Sequence, residues 1–313
     1  MGSPLEQVKD FLEFTLTPSP IVFIVGIAFV LLFPFLLHWA IARGSGYATL
    51  PSVLLLGPSG AGKTSLVTLL ERRGPRPSQT HTTQVVHSVE LAVADDPSKP
   101  PNYRDDLDQS ESTASKFLLV DTPGHGKLRG AALDRLHRLA GVATAGDKNK
   151  KSKSKEASKL KAVVFLADAA ALADQDELSA TAAYLYDVLL VLQKRIGTGT
   201  GSRHPASVPV LVAANKADLF TALPPALVKS HLEAELSRIR RTRSKALLDS
   251  GVGTEDVDAA GAGEQDDWLG EFGTDKFTFD QLKEVVEVEV IGGNIVGEGP
   301  GVDKWWAWIA DKL

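Results

Sequence analysis

Residues 57–64 combine glycines, a lysine and a threonine in the spacing G-x-x-x-x-G-K-T. They follow the apolar run 52–56 and precede a segment that we predict to be an amphipathic helix. Glycines let backbone N–H groups turn toward an anion, and the helix N-terminus adds partial positive charge. This order predicts a phosphate site for a nucleoside triphosphate. The candidate binding residues are Gly57, Pro58, Ser59, Gly60, Ala61, Gly62, Lys63, Thr64 and Ser65.

Two side chains of this loop have distinct chemical roles. Lys63 is long enough to reach the β- and γ-phosphates, and the Thr64 hydroxyl is a suitable ligand for Mg²⁺. A chance glycine turn is the alternative, and the strand–helix context argues against it. We therefore expect a nucleotide and Mg²⁺ at this loop.

A second group of chemical residues follows the short apolar run 117–120. Asp121 and Gly124 form the pattern D-x-x-G. A carboxylate at a strand end can hold Mg²⁺ through water, and the glycine amide can bond a γ-phosphate. His125 comes next and is the candidate catalytic residue. It could orient an attacking water, contact a partner or cap the loop, and the sequence leaves these three roles open.

A third motif, Asn215-Lys216-Ala217-Asp218, follows the apolar run 208–213. The Asp218 carboxylate can accept hydrogen bonds from N1–H and N2–H₂ of guanine, and adenine lacks this pair of donors. Asn215 can bond the base and tie its loop to the phosphate loop, while the Lys216 stem can pack over the ring. Because this motif is third in order after the other two, we predict a guanine nucleotide, GTP or GDP.

Alternating strands and helices must position these motifs. Strands that are apolar on both faces indicate a mostly parallel sheet flanked by helices, an α/β fold. The three tryptophans near the end of the chain have a spacing that favours packing onto the sheet. We predict strands at 52–56, 84–93, 117–120, 162–167, 208–213 and 285–291, and helices at 174–195, 224–245 and 303–313.

Composition limits the other functions. The 313 residues are 43% hydrophobic and carry a net charge of −5, which allows a full-sized core. The absence of cysteine excludes disulfides, zinc–thiolate sites and a cysteine nucleophile. Basic residues form no broad stripe, so we expect no sequence-specific binding to nucleic acid.

Three polar insertions are predicted near 95–115, 144–161 and 249–276. The lysine-rich stretch 144–161 could contact anionic lipid or ribosomal RNA, and a solvated loop is the simpler alternative.

Residues 20–42 contain an apolar run without a charge from Ile21 to Ile41. As a helix, 21 residues cover roughly the 30 Å hydrocarbon core of a bilayer. A buried helix or a cleaved signal peptide would rarely have this length together with an acidic leading segment. We predict a lumenal segment 1–19, a transmembrane helix 20–42, a linker 43–51 and a cytosolic domain 52–313.

The chain resembles the beta-subunit family of the signal recognition particle receptor, which is related to the Arf and Sar small GTPases. The resemblance is carried by the apolar span before the domain and by four stretches. These are DTPGHGKLR at 121–129, VVFLADAA at 163–170, AAYLYDVLL at 182–190 and LEAELSRIRRTRS at 232–244.

The resemblance implies a P-loop small GTPase fold with residues 57–64 on phosphate and magnesium, 121–125 as the second switch and Asn215, Lys216 and Asp218 on guanine. It also implies a first-switch threonine among Thr80, Thr82 and Thr83. We favour Thr83 as a nucleotide and Mg²⁺ ligand beside Thr64 and Asp121. Relatives of this kind usually carry a further guanine-binding loop with the pattern S-A-K or S-A-L after the last strand, and this pattern is absent here. Residues 291–294 occupy its place, and the backbone amide assigned to guanine O6 is that of Gly292.

The implied role is recruitment of the receptor alpha subunit, through its N-terminal domain, to the endoplasmic reticulum membrane when GTP is bound. This would support cotranslational targeting, with the ribosome or translocon as further expected partners. Two alternatives remain: a switch that hydrolyses GTP, and an Arf/Sar-like recruiter in membrane traffic. For an adaptor we expect slow or partner-stimulated hydrolysis.

Overall fold

The computed structural model describes residues 9, 13, 24, 26–34, 50–74, 76–94, 114–141, 160–197, 207–249, 268–270, 274, 276–298 and 301–313. The chain divides into two compact units, Met1–Thr49 and Leu50–Leu313. Most of each predicted polar insertion lies outside the described residues.

In the first unit, residues 26–34 are helical and their side chains are exposed. The rings of Phe29 and Phe33 stack with centroids 4.9 Å apart. Within the described residues, no helix combines the length and the apolar character needed to cross a bilayer. More than half of the predicted segment 20–42 lies outside the described residues.

The second unit is built on one sheet whose order is β2-β3-β1-β4-β5-β6. All neighbouring strands are parallel except β2 and β3, which are antiparallel. The predicted mostly parallel sheet is therefore confirmed, and the carboxyl ends of the parallel strands meet at one edge. The strands are β1 (Ser52–Leu56), β2 (His87–Ala94), β3 (Ala114–Asp121), β4 (Leu160–Asp168), β5 (Val210–Asn215) and β6 (Val288–Gly292).

Helices cover both faces of the sheet. The core on one face includes buried residues of α2, α3 and α4, and the core on the other includes those of α1 and α5. All five residues of β1 are buried, as a strand packed on both faces requires. The helices are α1 (Lys63–Arg72), α2 (Arg129–Ala140), α3 (Gln175–Gly197), α4 (Pro225–Asp249) and α5 (Asp303–Lys312).

The tryptophans of α5 pack into the core, as their spacing predicted. Trp305, Trp306 and Trp308 are all buried. The Trp305 indole N–H donates to the Ile291 carbonyl at 3.0 Å, so α5 is fixed to the end of β6. This contact holds the loop after β6 at the same edge of the sheet as the three motifs.

Candidate functional site

The glycine-rich loop runs from the end of β1 to the start of α1. Gly57 has φ +138°, and a Cβ there would lie 2.2 Å from the Leu166 carbonyl oxygen, so a side chain would collide with β4. The buried Lys63 ammonium donates to the carbonyls of Gly57 (2.8 Å) and Pro58 (2.7 Å). Burial lowers the pKa of Lys63 to about 8, against the opposing influence of the Asp121 charge. A buried cation therefore lies inside the predicted phosphate loop.

Three oxygen atoms from separate segments meet beside this lysine. The Thr64 hydroxyl donates to Asp121 Oδ2 at 2.8 Å and lies 2.5 Å from the Thr83 hydroxyl. Thr83 Oγ1 also donates to Asp121 Oδ2, at 3.2 Å. The other Asp121 oxygen, Oδ1, is buried and has no hydrogen-bond partner in the part of the chain that the structure describes. Burial raises the pKa of Asp121, while the hydrogen bond from Thr64 and the Lys63 charge lower it.

Hard oxygen donors gathered around a buried carboxylate suit Mg²⁺. The orphaned Asp121 Oδ1 and the three converging oxygens fit such an ion. Of the three threonines considered for the first switch, Thr83 joins this cluster. The Thr80 hydroxyl lies 3.1 Å from that of Ser65 instead.

These residues surround a cavity of about 180 Å³. It brings together residues from the glycine-rich loop, from the threonine-rich segment Thr80–Thr83 and from the segment that follows β3. His81 was not named as a candidate from the sequence, whereas Thr122 lies within the predicted second switch 121–125. The lining residues are Ser59, Gly60, Gly62, Lys63, Thr64, Ser65, Thr80, His81, Thr82, Thr83, Thr122 and Gly124.

The segment after β3 is fixed against the glycine-rich loop. The buried Thr122 hydroxyl donates to the Leu55 carbonyl at 2.7 Å, which ties β3 to β1. A Cβ on Gly124 would lie 2.2 Å from Lys63 Nζ and 2.7 Å from the Pro58 carbonyl oxygen. Only glycine therefore fits between this segment and the lysine.

His125 is exposed and does not line the 180 Å³ cavity. Its Nδ1 accepts a hydrogen bond from the Lys127 backbone N–H at 3.3 Å, which caps the short 3₁₀ turn Gly126–Leu128. Of the three roles that the sequence left open for His125, the structure shows the capping of this turn. Orientation of water and contact with a partner remain predictions.

The Asn-Lys-Ala-Asp segment begins at the last residue of β5. Asn215 Nδ2 donates to the Ala61 carbonyl at 2.7 Å, so the expected tie to the glycine-rich loop is present. Lys216 has φ +64° and forms an ion pair with Asp168 Oδ2 at 2.5 Å. Asp168 Oδ1 in turn accepts the backbone N–H groups of Ala170 and Ala171. The Lys216 ammonium is thereby anchored at the end of β4.

A second cavity, of about 320 Å³, adjoins this segment. From the sequence we assigned the contact with guanine O6 to the backbone amide of Gly292. However, Gly292 is the last residue of β6 and faces Pro225, whose Cγ would lie 2.7 Å from an added Cβ. The residues that line the cavity after β6 are Ile295 and Val296, because the strand continues through Gly292. The full lining is Gly60, Gly62, Ser65, Asn215, Lys216, Asp218, Leu219, Ile295 and Val296.

The two cavities share Gly60, Gly62 and Ser65 and lie at the carboxyl edge of a mostly parallel sheet. One is lined by a lysine, hydroxyls and glycines, and the other by an amide, a carboxylate and apolar side chains. Together with the motif order, this arrangement defines a P-loop α/β protein of the small GTPase class.

A family profile described as "Signal recognition particle receptor beta subunit" matches residues 48–144 and 148–286. The chain belongs to this family.

Among curated relatives, the signal recognition particle receptor subunit beta of Saccharomyces cerevisiae is 29% identical over 265 residues, which are 84% of each chain. The Homo sapiens protein of the same name is 29% identical over 248 residues, covering 79% of this chain and 72% of the relative.

Solved structures show the same similarity. The structure described as "Signal recognition particle receptor SRb-GTP/SRX complex" from Chaetomium thermophilum has a TM-score of 0.66 and 46% identity, covering 84% of this chain and all of that chain. The structure described as "SRb-GDP-Mg" from the same organism has a TM-score of 0.57 and 47% identity, with 86% and 100% covered.

Proposed function

We propose that this chain is the GTP-binding subunit of a signal recognition particle receptor and that it binds GTP or GDP with Mg²⁺. When GTP is bound, it recruits the receptor alpha subunit through that subunit's N-terminal domain and supports cotranslational targeting to the endoplasmic reticulum. The observation that carries the proposal is the convergence of Thr64, Thr83 and Asp121 beside the buried Lys63. The Chaetomium relatives described with GTP and SRX, and with GDP and magnesium, support it.

The chain's own residues divide the work on the triphosphate. Lys63 Nζ exchanges its bonds to the Gly57 and Pro58 carbonyls for bonds to the β- and γ-phosphate oxygens. Thr64, Thr83 and Asp121 would supply the oxygens that hold Mg²⁺, and the bound ion would neutralise phosphate charge. The Gly124 backbone N–H is the candidate donor to the γ-phosphate.

Nucleotide dependence follows from where these ligands lie in the chain. Thr83 precedes β2, and Gly124 follows β3, so a γ-phosphate bound by both would fix two separate surface segments. Loss of that phosphate removes the shared contact and frees both segments. A partner that docks on these segments would therefore distinguish GTP from GDP.

On the base side, Asp218 accepts the guanine N1–H and N2–H₂ donors, and Lys216 packs its stem on the ring. Lys216 is held for this by Asp168. Asn215 joins the base loop to Ala61, so the base and phosphate contacts keep a fixed separation.

The proposal includes a single transmembrane helix at 20–42 with the GTPase domain on the cytosolic side. Support comes from the exposed apolar side chains of residues 26–34, such as Phe29, Val30 and Leu31, each more than 60% exposed. Water is a poor solvent for such a surface, and hydrocarbon is a good one.

Slow turnover is part of the proposal. His125 uses Nδ1 to cap its own turn and does not line the phosphate cavity, so this nitrogen is not available to orient an attacking water. This favours an adaptor over a fast hydrolytic switch.

The test is a single-turnover experiment on the full chain in detergent micelles, loaded with GTP that is radiolabelled at the γ-phosphate. We expect the label to stay bound and intact on the chain alone. Rapid release of labelled phosphate without a partner would favour the hydrolytic switch. Failure to retain GTP at all would refute the proposal.

A further inference from the structure

The loop after β6 is closed by one side chain. Asn294 is only 4% exposed, and its Nδ2 donates to the carbonyls of Val296 (3.0 Å) and Gly297 (3.3 Å). Its Oδ1 accepts the Gly301 backbone N–H at 2.8 Å, and its own backbone N–H donates to the Gly301 carbonyl at 3.2 Å. One asparagine therefore fixes both ends of the segment 294–301 by direct hydrogen bonds.

This loop and Gly293, which precedes it, contact the segment Asn215–Asp218 at three successive points. The Gly293 carbonyl accepts the Ala217 N–H at 3.1 Å, and the Ile295 N–H donates to Asn215 Oδ1 at 3.2 Å. The third point is packing: Gly297, at φ +89°, lies so close to Asp218 that a Cβ there would be 2.5 Å from Oδ2.

The packing contact is important because no described residue donates a hydrogen bond to the Asp218 carboxylate. The Gly297 backbone therefore lies against one side of the exposed Asp218 side chain. Both carboxylate oxygens keep their capacity to accept hydrogen bonds from a ligand.

The same loop supplies part of the cavity wall. Ile295 is 7% exposed and lies under the glycine-rich loop, with Cδ1 3.0 Å from where a Gly62 Cβ would be. Val296 is 60% exposed and lines the cavity with Leu219, which is 45% exposed. A flat apolar ring in the cavity would cover these side chains.

We propose that Asn294 is a positioning residue for base recognition, which acts by holding Gly297 against Asp218 and Val296 at the cavity wall. The ligand class is a purine nucleotide with N1–H and a 2-amino group. The inference rests on the proposed function, since it requires a guanine nucleotide in this cavity.

The test compares GTP with inosine triphosphate, which lacks the 2-amino group, on the full chain in detergent. Because a hydrogen bond to a charged carboxylate is lost, the wild-type chain should prefer GTP by roughly tenfold or more. Asn294→Ala should bring the ratio of the two dissociation constants close to one. A purely structural role would weaken both nucleotides equally and leave the ratio unchanged.

Two further variants separate positioning from folding. Asn294→Asp keeps the acceptor for Gly301 but places a carboxylate oxygen against the carbonyls of Val296 and Gly297, so it should lower the ratio at least as far as Asn294→Ala does. Gly297→Ala leaves the Asn294 side chain intact but displaces Asp218, and it should lower the ratio even if Asn294→Ala does not fold. The matched control is Glu298→Gln, an exposed change in the same loop, which should leave the ratio at the wild-type value.

Failure of the proposed role of this loop can be distinguished from failure of the proposed function. Unchanged ratios in folded Asn294→Ala and Gly297→Ala chains that still bind GTP would overturn the role of the loop alone. A wild-type chain that binds neither nucleotide would overturn the proposed function, and this inference with it.

Discussion

The phosphate side and the base side of the site are held together in different ways. On the phosphate side, Lys63, Thr64, Thr83 and Asp121 bond to one another or to nearby carbonyls through the groups that would bind the ligand. On the base side, Asn294 and Asp168 hold the loops, while the Asp218 carboxylate is left without a described donor.

This difference has a functional consequence. Binding must rearrange the phosphate side, because its present bonds compete with the ligand. On the base side, the loops are already held in place by contacts that do not compete with the ligand. We infer that nucleotide-dependent change is confined to the phosphate side, while the base side provides constant affinity.

The largest expected effect comes from Lys63→Ala, which removes the buried cation of the phosphate side. Because a charge-assisted contact to two phosphates is lost, GTP affinity should fall about a hundredfold or more. Equilibrium titration of the full chain measures this loss. Lys127→Ala, at an exposed lysine within the turn Gly126–Leu128, is the control and should bind normally. Normal GTP affinity in Lys63→Ala would show that the loop does not hold the triphosphate.

On the base side, Asp218→Asn reverses one hydrogen-bond polarity. GTP affinity should fall roughly thirty- to a hundredfold, and xanthosine triphosphate should become the better ligand. Competition between the two nucleotides gives the ratio directly. Asp280→Asn, at an exposed position, should keep the wild-type preference. A variant at Asp218 that still prefers GTP would refute the assignment of the base-reading carboxylate.

A smaller effect tests whether the two sides respond differently. Gly124→Ala places a methyl group 2.7 Å from the backbone carbonyl oxygen of Pro58, so it must displace the segment proposed to contact the γ-phosphate. We expect GTP affinity to fall about tenfold with GDP affinity nearly unchanged. Gly126→Ala is a close control, because an added Cβ there meets nothing within 4 Å. Equal losses for GTP and GDP would show that this segment does not sense the γ-phosphate.

The smallest effect is a pH dependence. The pKa of Lys63 is lowered to about 8, and phosphate beside the ammonium should raise it again. Binding should therefore take up a proton above pH 8, and GTP affinity should fall a few-fold as the pH rises further. Calorimetry in two buffers of different ionisation enthalpy detects this uptake. Proton uptake that persists in Lys63→Arg would assign it to another group.

The unliganded chain should show the opposite trend in stability. Since the pKa of Lys63 in the folded chain is lower than its ordinary value of 10.5, the unfolded chain binds more protons between these two values. The contribution of Lys63 to the free energy of unfolding should therefore rise with pH across this interval.

The sequence predicted the phosphate side better than the base side. Residues 57–64 form a local motif, and Asp121 ends an apolar strand, so short stretches determine their placement. The loop 294–301 could not be predicted, because its shape depends on hydrogen bonds between Asn294 and residues up to seven positions away. Gly292 is the last residue of β6 and does not line the cavity, so its contact with guanine O6 stays a prediction.

One element was missed although its signal was present. Helix α2 follows the second switch segment, and its buried residues Ala132, Leu136, Leu139 and Ala140 have helical spacing. Strand β2 begins at His87 rather than at residue 84, because the threonine segment that precedes it bends toward Asp121.

The central claim is that GTP on the phosphate side creates the surface for the alpha subunit. The most direct measurement is the affinity of the full chain in lipid nanodiscs for the N-terminal domain of that subunit, with GTP and with GDP. We expect binding to be at least about tenfold tighter with GTP and this preference to disappear in Thr83→Ala. Equal affinity for the partner in both nucleotide states would contradict the account.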